Sequence, residues 1–151
     1  MCITKTLRLL VLALLMPLAM MAQKSNSETS KEFDWEPVMN AIIQVESGGH
    51  TNAVNGRYAG CMQIAPTLVN AVNNILKRRG STKRYTLNDR FSMEKSKEMF
   101  VITMSELCPE NNIEKACRIW AGGPGYSVSG TQRFVNKVKR VMEQQAKQQK
   151  K

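Results

Sequence analysis

An apolar stripe that ends abruptly at a glutamate constrains the fold of this chain more than any other feature. Its residues recur at the spacing of a helix with one buried face: Trp35, Val38, Met39, Ile42, Ile43 and Val45. Asp34 can cap the start of this helix, and Gly48-Gly49 can end it, because glycine readily takes the left-handed conformation of a C-cap. The sequence therefore predicts a helix that carries Glu46 in its last turn.

The position of Glu46 favours a protonated carboxyl. The last turn faces the negative end of the helix dipole, and apolar neighbours also disfavour the charged form. A general acid needs a proton held in this way near neutral pH. A solvated surface glutamate is the alternative. The segment that follows favours a functional site, because turns at Asn52, Asn55-Gly56 and Gly60, with short strands within residues 58–64, would fold back beside the helix end.

Glu46-Ser47 is the first of three motifs that occur in order along the chain. The second is Gly60-Cys61-Met62-Gln63-Ile64-Ala65-Pro66, and the third is Trp120-Ala121-Gly122-Gly123, with Phe134 and Val138 beyond it. Together they resemble the soluble lytic transglycosylase family of the lysozyme-like superfamily, over residues 35–140. The resemblance implies a mainly α, lysozyme-like (α+β) domain with a small β or turn element beside a long cleft for glycan.

The resemblance also implies a role for each matched residue. Glu46 would be the catalytic acid and then the base, while Ser47 and Gln63 would orient the acid and hydrogen-bond the substrate. Three further residues would shape the wall of the cleft: Tyr58, Met62 and Ile64. The family chemistry requires no metal and no cofactor.

Trp120-Ala121 departs from the family pattern, in which a tyrosine followed by an asparagine normally lies beside the acid. The indole of Trp120 offers an N–H donor and a flat apolar wall but no phenolic hydroxyl. An ordinary core position for Trp120 is the alternative. Tyr126, which follows the glycines, is a further candidate to line the cleft.

The expected reaction is cleavage of the bond between N-acetylmuramic acid and N-acetylglucosamine in peptidoglycan. Glycoside hydrolysis ordinarily uses two carboxylates, but no acid follows Glu46 until Asp89. A single acid suffices when an acetamido group assists and the muramyl C6 hydroxyl closes on the anomeric carbon. Two alternatives remain open: a hydrolytic lysozyme that recruits Asp89 or Glu94, and a non-catalytic glycan-binding or envelope-assembly module.

The N-terminus has the layout of a secretory signal peptide. Lys5 and Arg8 precede an apolar run over residues 9–21, and small residues lead to an expected cleavage site after Ala22. The sequence predicts a signal peptide at 1–22, a flexible linker at 23–33, the transglycosylase domain at 34–142 and a basic disordered tail at 143–151. We therefore expect a periplasmic or secreted protein, with an uncleaved membrane anchor as the alternative.

Charge indicates the class of partner. Loss of the signal peptide, which carries two cations and no acid, changes the formal charge from +10 to +8. We expect an anionic envelope polymer, peptidoglycan, rather than nucleic acid, for which the chain has no recognition motif. The mature protein is expected to be a monomer without a membrane span. A secretion or conjugation apparatus is a further candidate partner.

Three cysteines remain after signal cleavage. In an oxidising compartment, Cys108 and Cys117 are the natural disulfide candidates, because they bracket a short polar loop between two helical segments. Cys61 would then be a small buried hydrophobe. Since His50 is the only histidine, we predict neither a catalytic thiol nor a metal site.

Apolar periodicity predicts four further helices, so the expected fold class is mainly α. They cover residues 67–77, a stretch from Phe91 to Met104 capped by Asn88 or Asp89, residues 113–120 and residues 131–142. Asp89 and Arg90 are expected to form a local ion pair. The basic segment 77–85 is predicted to be a solvated loop, with a glycan contact as the alternative.

Overall fold

The computed structural model describes residues 33–149. This part of the chain is mainly α-helical, as the sequence predicts. Its elements are α1 (Glu36–Ser47), β1 (Val54–Asn55), β2 (Tyr58–Ala59), α2 (Pro66–Arg78), a 3₁₀ helix (Leu87–Phe91), α3 (Met93–Leu107), α4 (Ile113–Gly122) and α5 (Val128–Gln148). The predicted signal peptide, and the predicted linker up to residue 32, lie outside the described residues.

Helix α1 has the buried face and the ends that its sequence predicts. The Asp34 carboxylate accepts a hydrogen bond from the backbone N–H of Glu36 at 2.9 Å, which satisfies a donor in the first turn. Gly48 closes the helix in the left-handed conformation, with φ of 63°. Glu46 therefore lies in the last turn of α1, where the chain leaves the helix.

A small antiparallel hairpin follows α1. Strands β1 and β2 pair Val54 with Ala59 and Asn55 with Tyr58, and Ala59 forms a further bridge with Ile64. The prediction of short strands within residues 58–64 is correct for β2 and the bridge at Ile64, but β1 lies before that segment. The hairpin and the turns after it connect the end of α1 to the start of α2.

The start of α3 differs from the prediction. A 3₁₀ helix precedes α3, and a capping box between Thr86 and Asp89 closes its first turn. Ser92 then takes an extended conformation and caps α3 by accepting the Lys95 N–H at 3.3 Å. The prediction of one helix capped at Asn88 or Asp89 was wrong, because a second capping residue lies inside the apolar pattern.

The predicted Asp89–Arg90 ion pair is also wrong. Asp89 pairs with Lys95 instead. The Arg90 guanidinium donates to the backbone carbonyls of Leu87, Arg57 and Ile64 at 2.8–3.2 Å. Arg90 therefore fastens the 3₁₀ helix to the hairpin segment.

Helix α5 extends beyond both predicted ends. Ser127 caps its start by accepting the N–H of Gly130 at 3.2 Å. The helix continues past Met142 to Gln148, so the predicted disordered tail is helical over residues 143–148. This stretch contains Glu, Gln, Ala and Lys and no Gly or Pro, a composition of good helix formers.

Three pairs of packed helices surround the core. Helix α5 packs against α1 and α4, while α2 packs against α3. Phe100 of α3 is fully buried, and its ring centroid lies 5.5 Å from the Trp35 ring and 5.1 Å from the Trp120 ring. These edge and tilted contacts are favourable for aromatic pairs and join α3 to the start of α1 and the end of α4.

Candidate functional site

Glu46 carries the most perturbed carboxyl of the predicted site. It is half-buried at the end of α1. Burial raises the pKa of this carboxyl from 4.5 to about 7, and the Lys137 ammonium on α5 opposes that rise. The predicted raised pKa is confirmed, and burial is its main cause.

The Glu46 carboxyl is open to a ligand. Among residues 33–149, no hydrogen bond or salt bridge engages it, and no second carboxylate contributes to its pKa. Every buried side-chain nitrogen and oxygen atom in this part of the chain has a hydrogen-bond partner. Since the Glu46 oxygens have none, they must reach solvent.

Ser47 fixes the end of α1 against the polar segment that follows. Its hydroxyl donates to the carbonyl oxygen of Cys61 at 2.8 Å and lies 3.3 Å from the carbonyl of Ile43. The bond to Cys61 connects positions far apart in sequence. Ser47 therefore positions the backbone beside Glu46, consistent with the orienting role that the sequence predicts.

Gln63 organises the turn between β2 and α2. Its backbone has φ of 50°, an uncommon conformation for a residue with a side chain. The side-chain amide donates to the carbonyls of Gly60 at 2.9 Å and Ala53 at 3.3 Å. Its Nε2 group is therefore occupied by the protein, while the Oε1 atom accepts no hydrogen bond from residues 33–149.

Met62 and Ile64 do not form an exposed wall. Met62 is 0% exposed and Ile64 is 1% exposed, and both belong to the hydrophobic core. Their prediction as substrate-contacting residues is therefore corrected: the turns at Gly60 and Gln63 direct them inward. Tyr58 of β2 is 42% exposed, so a ligand can reach it, although the Arg57 guanidinium lies over its ring, 5.3 Å from the ring centroid.

Trp120 and Tyr126 lie where α4 ends and the chain turns toward α5. Trp120 is half-buried against Phe100 and retains some exposed surface. Tyr126 is half-buried, and its backbone N–H donates to the Gly123 carbonyl at 3.2 Å. No hydrogen bond within residues 33–149 links either side chain to Glu46, so their predicted substrate contacts stay a prediction.

The structure has no disulfide between Cys108 and Cys117. Both are free thiols buried in the core, as is Cys61. The Cys108 thiol instead donates to the Asn112 carbonyl, with a sulfur–oxygen distance of 3.4 Å. The predicted pairing therefore differs from the structure, in which Cys108 at the C-cap of α3 and Cys117 in the middle of α4 serve as small buried side chains.

Lys137 and its neighbours on α5 are functional candidates that the sequence analysis missed. The face of α5 opposite its buried residues carries exposed polar side chains around an open surface depression of about 590 Å³: Ser129, Gln132, Arg133, Asn136, Lys137 and Arg140. Of these, Lys137 acts on the Glu46 carboxyl. The polar i, i+3, i+4, i+7 spacing of the set was the available signal, but periodicity alone gives no reason to place Lys137 near Glu46.

Other candidate sites are poorly supported. A second cavity, of about 580 Å³, lies where the start of α1 meets the end of α5, at the opposite end of α1 from Glu46. Within residues 33–149, no three His, Cys, Asp or Glu side chains cluster in a way that could hold a metal ion. None of the described helices is long and apolar enough to cross a membrane.

No protein-family model, curated protein or solved structure matches this chain. Function must therefore be argued from the chemistry of the site.

Proposed function

We propose that this protein is a peptidoglycan lytic transglycosylase with a lysozyme-like fold, in which Glu46 is the only catalytic carboxyl. The observation that carries the proposal is the state of that carboxyl, whose pKa is about 7 and whose oxygens are open to solvent. A group with this pKa can both donate and accept a proton near neutral pH. The hairpin and the Ser47 contact, which hold the chain beside it, support the same assignment.

The first step is proton donation by Glu46 to the glycosidic oxygen between N-acetylmuramic acid and N-acetylglucosamine. The bond from this oxygen to the anomeric carbon breaks, and the leaving sugar departs with the proton as a hydroxyl group. The muramyl acetamido oxygen shares the positive charge that develops at the anomeric carbon, which replaces a second carboxylate. The Lys137 ammonium favours the carboxylate that Glu46 becomes.

The second step uses the same carboxylate as a base. Glu46 takes the proton of the muramyl C6 hydroxyl, whose oxygen bonds to the anomeric carbon and closes an anhydro ring. Glu46 is again protonated, and no water is consumed. The Glu46 carboxyl therefore completes the catalytic cycle alone, because it acts as an acid in the first step and as a base in the second.

The hydrolytic alternative needs a second carboxylate that can activate water, and the candidates named from sequence are weak. Asp89 is engaged by Lys95 and by the backbone N–H of Thr86, which lower its pKa. Glu94 is exposed on α3. Neither contributes to the pKa of Glu46, so the chemistry of a single acid is favoured.

Mass spectrometry of the muropeptides released from purified peptidoglycan tests the proposal. We expect products that end in anhydromuramic acid from the unaltered protein. Glu46→Gln should lower the rate at least about 100-fold, the usual effect of removing a general acid. Glu143→Gln is the matched control, since it removes an exposed carboxyl from α5 that has no assigned role, and this variant should cleave normally.

Each other outcome assigns a different function. Reducing muramic ends would mean that water attacks, and the protein would be a lysozyme. Binding to peptidoglycan without release of products by either protein would favour a glycan-binding module. Cleavage that is unchanged in Glu46→Gln would remove Glu46 from the mechanism.

A further inference from the structure

Several cations at the end of α2 are neutralised by acids on α3. Arg78 and Arg79 both pair with Glu106, at 2.7 and 2.8 Å. Lys83, in the loop that follows α2, pairs with Glu98 at 2.7 Å. These three cations therefore have little free charge to offer an anionic partner.

Helix α5 has the opposite arrangement on its outward face. Four exposed cations lie there and form no salt bridge within residues 33–149: Arg133, Lys137, Arg140 and Lys147. Their spacing of i, i+4, i+7 and i+14 places them on one face of the helix. The buried residues of α5 lie on the other side: Thr131, Val135 and Val138. We call the four cations the α5 stripe.

The α5 stripe has little counter-charge around it. Glu143 is the only acid on α5, and it borders the stripe near Lys147 without forming a salt bridge to it. Lys137 acts on the Glu46 carboxyl, but that carboxyl has a pKa of about 7 and is only partly charged near neutral pH. The stripe therefore keeps a net positive charge that the described chain leaves uncompensated.

The shape of the α5 stripe suits a flat partner. From Arg133 to Lys147 the helix rises by about 21 Å, at roughly 1.5 Å per residue. The stripe follows the convex outer side of a single helix, and its exposed neighbours Asn136 and Gln144 are polar. A convex ridge meets a plane along its whole length, whereas a flexible strand is usually held in a groove. All four cations can therefore approach a flat anionic surface together.

We propose that the α5 stripe docks this protein on a membrane leaflet that contains anionic phospholipids. Lipid phosphates supply a plane of negative charge, and every Lys or Arg close to such a plane adds to the attraction. The stripe contains no apolar side chain, so α5 lies against the headgroups and does not insert between the acyl chains. This docking is independent of the reaction proposed at Glu46.

Nucleic acid is a poorer partner for the same stripe. Single strands usually bind where aromatic side chains stack on the bases, and the stripe offers no aromatic residue. The chain also begins with the layout of a secretory signal peptide, which predicts export to a compartment that is bounded by membrane. An anionic leaflet is therefore favoured over a polynucleotide.

Lipid titration of the full chain tests the proposal. Vesicles made of phosphatidylglycerol and phosphatidylcholine in equal parts are compared with vesicles made of phosphatidylcholine alone. The measured quantity is the ratio of the two partition constants. The N-terminal apolar run is present in every variant, so its own contribution to binding cancels when the ratios of two variants are compared.

Two variants with the same change of charge are compared with the parent protein. The stripe variant carries three substitutions: Arg133→Gln, Arg140→Gln and Lys147→Gln. Lys137 is left in place because it acts on Glu46. The control removes three exposed cations that lie on other elements and form no salt bridge within residues 33–149: Arg57→Gln, Lys77→Gln and Arg84→Gln. Circular dichroism checks that both variants fold.

The parent protein should prefer the anionic vesicles. We expect the stripe variant to reduce the ratio of partition constants about 100-fold, the combined effect of three cations beside an anionic leaflet. The control should reduce the ratio at most about threefold, since charges farther than a Debye length from the surface are screened. Added salt should weaken the preference of the parent protein for the same reason.

A second measurement needs no variant. Acetylation of individual lysines in the parent protein is followed by mass spectrometry, with and without the anionic vesicles. The vesicles should slow the acetylation of Lys137 and Lys147 more than that of Lys77, because the stripe faces the lipid and Lys77 lies on α2.

The proposal fails if the parent protein shows no preference for anionic vesicles, or if the stripe variant and the control lose it equally. Equal protection of the three lysines would mean that another surface faces the lipid. Tighter stripe-dependent binding of a DNA oligonucleotide or of purified peptidoglycan than of the anionic vesicles would assign the stripe to that polymer instead. None of these results depends on cleavage, so the reaction at Glu46 is tested separately.

Discussion

The carboxyl of Glu46 makes the stability of this protein depend on pH. Its pKa is about 7 in the folded state, against an ordinary value of 4.5. Between these values, the folded protein holds a proton that the unfolded chain has released. The free energy of unfolding therefore decreases as pH rises from about 4.5 to about 7, and it stays lower above that range.

Glu46→Gln should remove this dependence. We expect the variant to be more stable than the parent protein by about 1–3 kcal/mol at pH 8, because a neutral amide avoids the cost of a partly buried charge. At pH 4 the two proteins should be nearly equal, since Glu46 is then mostly protonated in both states. Urea denaturation at the two pH values measures the difference. A stability difference that is independent of pH would mean that Glu46 titrates normally.

For single residues, the sequence predicts a property correctly when that property is caused by neighbours in the chain. The end of the helix and the apolar neighbours of Glu46 predict its raised pKa, and the structure confirms the shift. The influence of Lys137 was missed because it depends on the packing of α1 against α5. Met62 and Ile64 were assigned to an exposed wall because a motif gives positions along the chain, whereas the turns decide which side chains face inward.

At the scale of elements, Gly60 controls the approach of the hairpin segment to the 3₁₀ helix. Its φ of 81° is unfavourable for residues with a side chain. A Cβ atom on Gly60 would also lie 1.7 Å from the carbonyl oxygen of Arg90. Because the clashing atom belongs to backbone, the two segments could not relax by a change of rotamer.

Gly60→Ala should therefore destabilise the protein by at least about 2 kcal/mol, measured by chemical denaturation. Gly56→Ala is the matched control, because Gly56 has φ of 58° but a Cβ atom added there would meet no other atom within 4 Å. It should cost only the backbone strain, about 1 kcal/mol. Equal effects of the two substitutions would show that the contact with Arg90 is unimportant.

Arg118 is a buried cation that joins α4 to the start of α5. It is 5% exposed and donates to the Val128 carbonyl, the Thr131 hydroxyl and the Gln132 amide oxygen at 2.7–3.0 Å. It also pairs with Glu114 on α4 at 2.6 Å. The guanidinium itself is buried, and it satisfies several acceptors at once, of which the Thr131 hydroxyl is also buried.

Arg118→Met should lower the free energy of unfolding by about 1–2 kcal/mol, because it leaves the buried Thr131 hydroxyl and the part-buried Val128 and Gln132 oxygens without this donor. Lys139→Met is the control, since it removes an exposed partner of the same Glu114 and should have little effect. Thermal and urea denaturation of both variants give the comparison. A large loss in the control would mean that the charge of Glu114, rather than the buried network, holds α4 and α5 together.

The sequence predicts the first and last residues of some helices more accurately than those of others. Helices α1 and α2 have one clear apolar face and strong terminal signals, and both agree with the prediction to within a residue or two. The start of α3 was missed because the capping contact of Ser92 competes with an apolar pattern that continues across it. The end of α5 was missed because a polar sequence of good helix formers has no stop signal.

At the scale of the whole molecule, the class of fold is predictable from sequence and the arrangement of helices is not. Periodicity indicates which face of each helix is buried, so most core residues could be named in advance. It does not indicate which helices meet. The pairing of α1 with α5 brings Glu46 and Lys137 together, and that pairing arises only when the whole core is assembled.

The reactivity of three buried cysteines can be used to test whether the core is packed as described. Cys61, Cys108 and Cys117 are each at most 1% exposed. Burial raises the pKa of all three thiols, that of Cys117 to about 12, so they are both inaccessible and poorly ionised. The disulfide predicted from sequence would have replaced two of these three thiols, and the structure has all three free.

A count of reactive thiols distinguishes a core with three free thiols from a core with one disulfide and one thiol. In a Cys2→Ser variant of the full chain, the three buried thiols should react with a disulfide reagent at least about 1,000-fold more slowly in the native protein than in denaturant, because reaction requires opening of the core. All three should be counted in denaturant without a reductant. A count of one would mean that two of the three, with Cys108 and Cys117 the pair expected from sequence, have formed a disulfide. In that case reductant should lower the stability of the parent protein, whereas three free thiols predict no change.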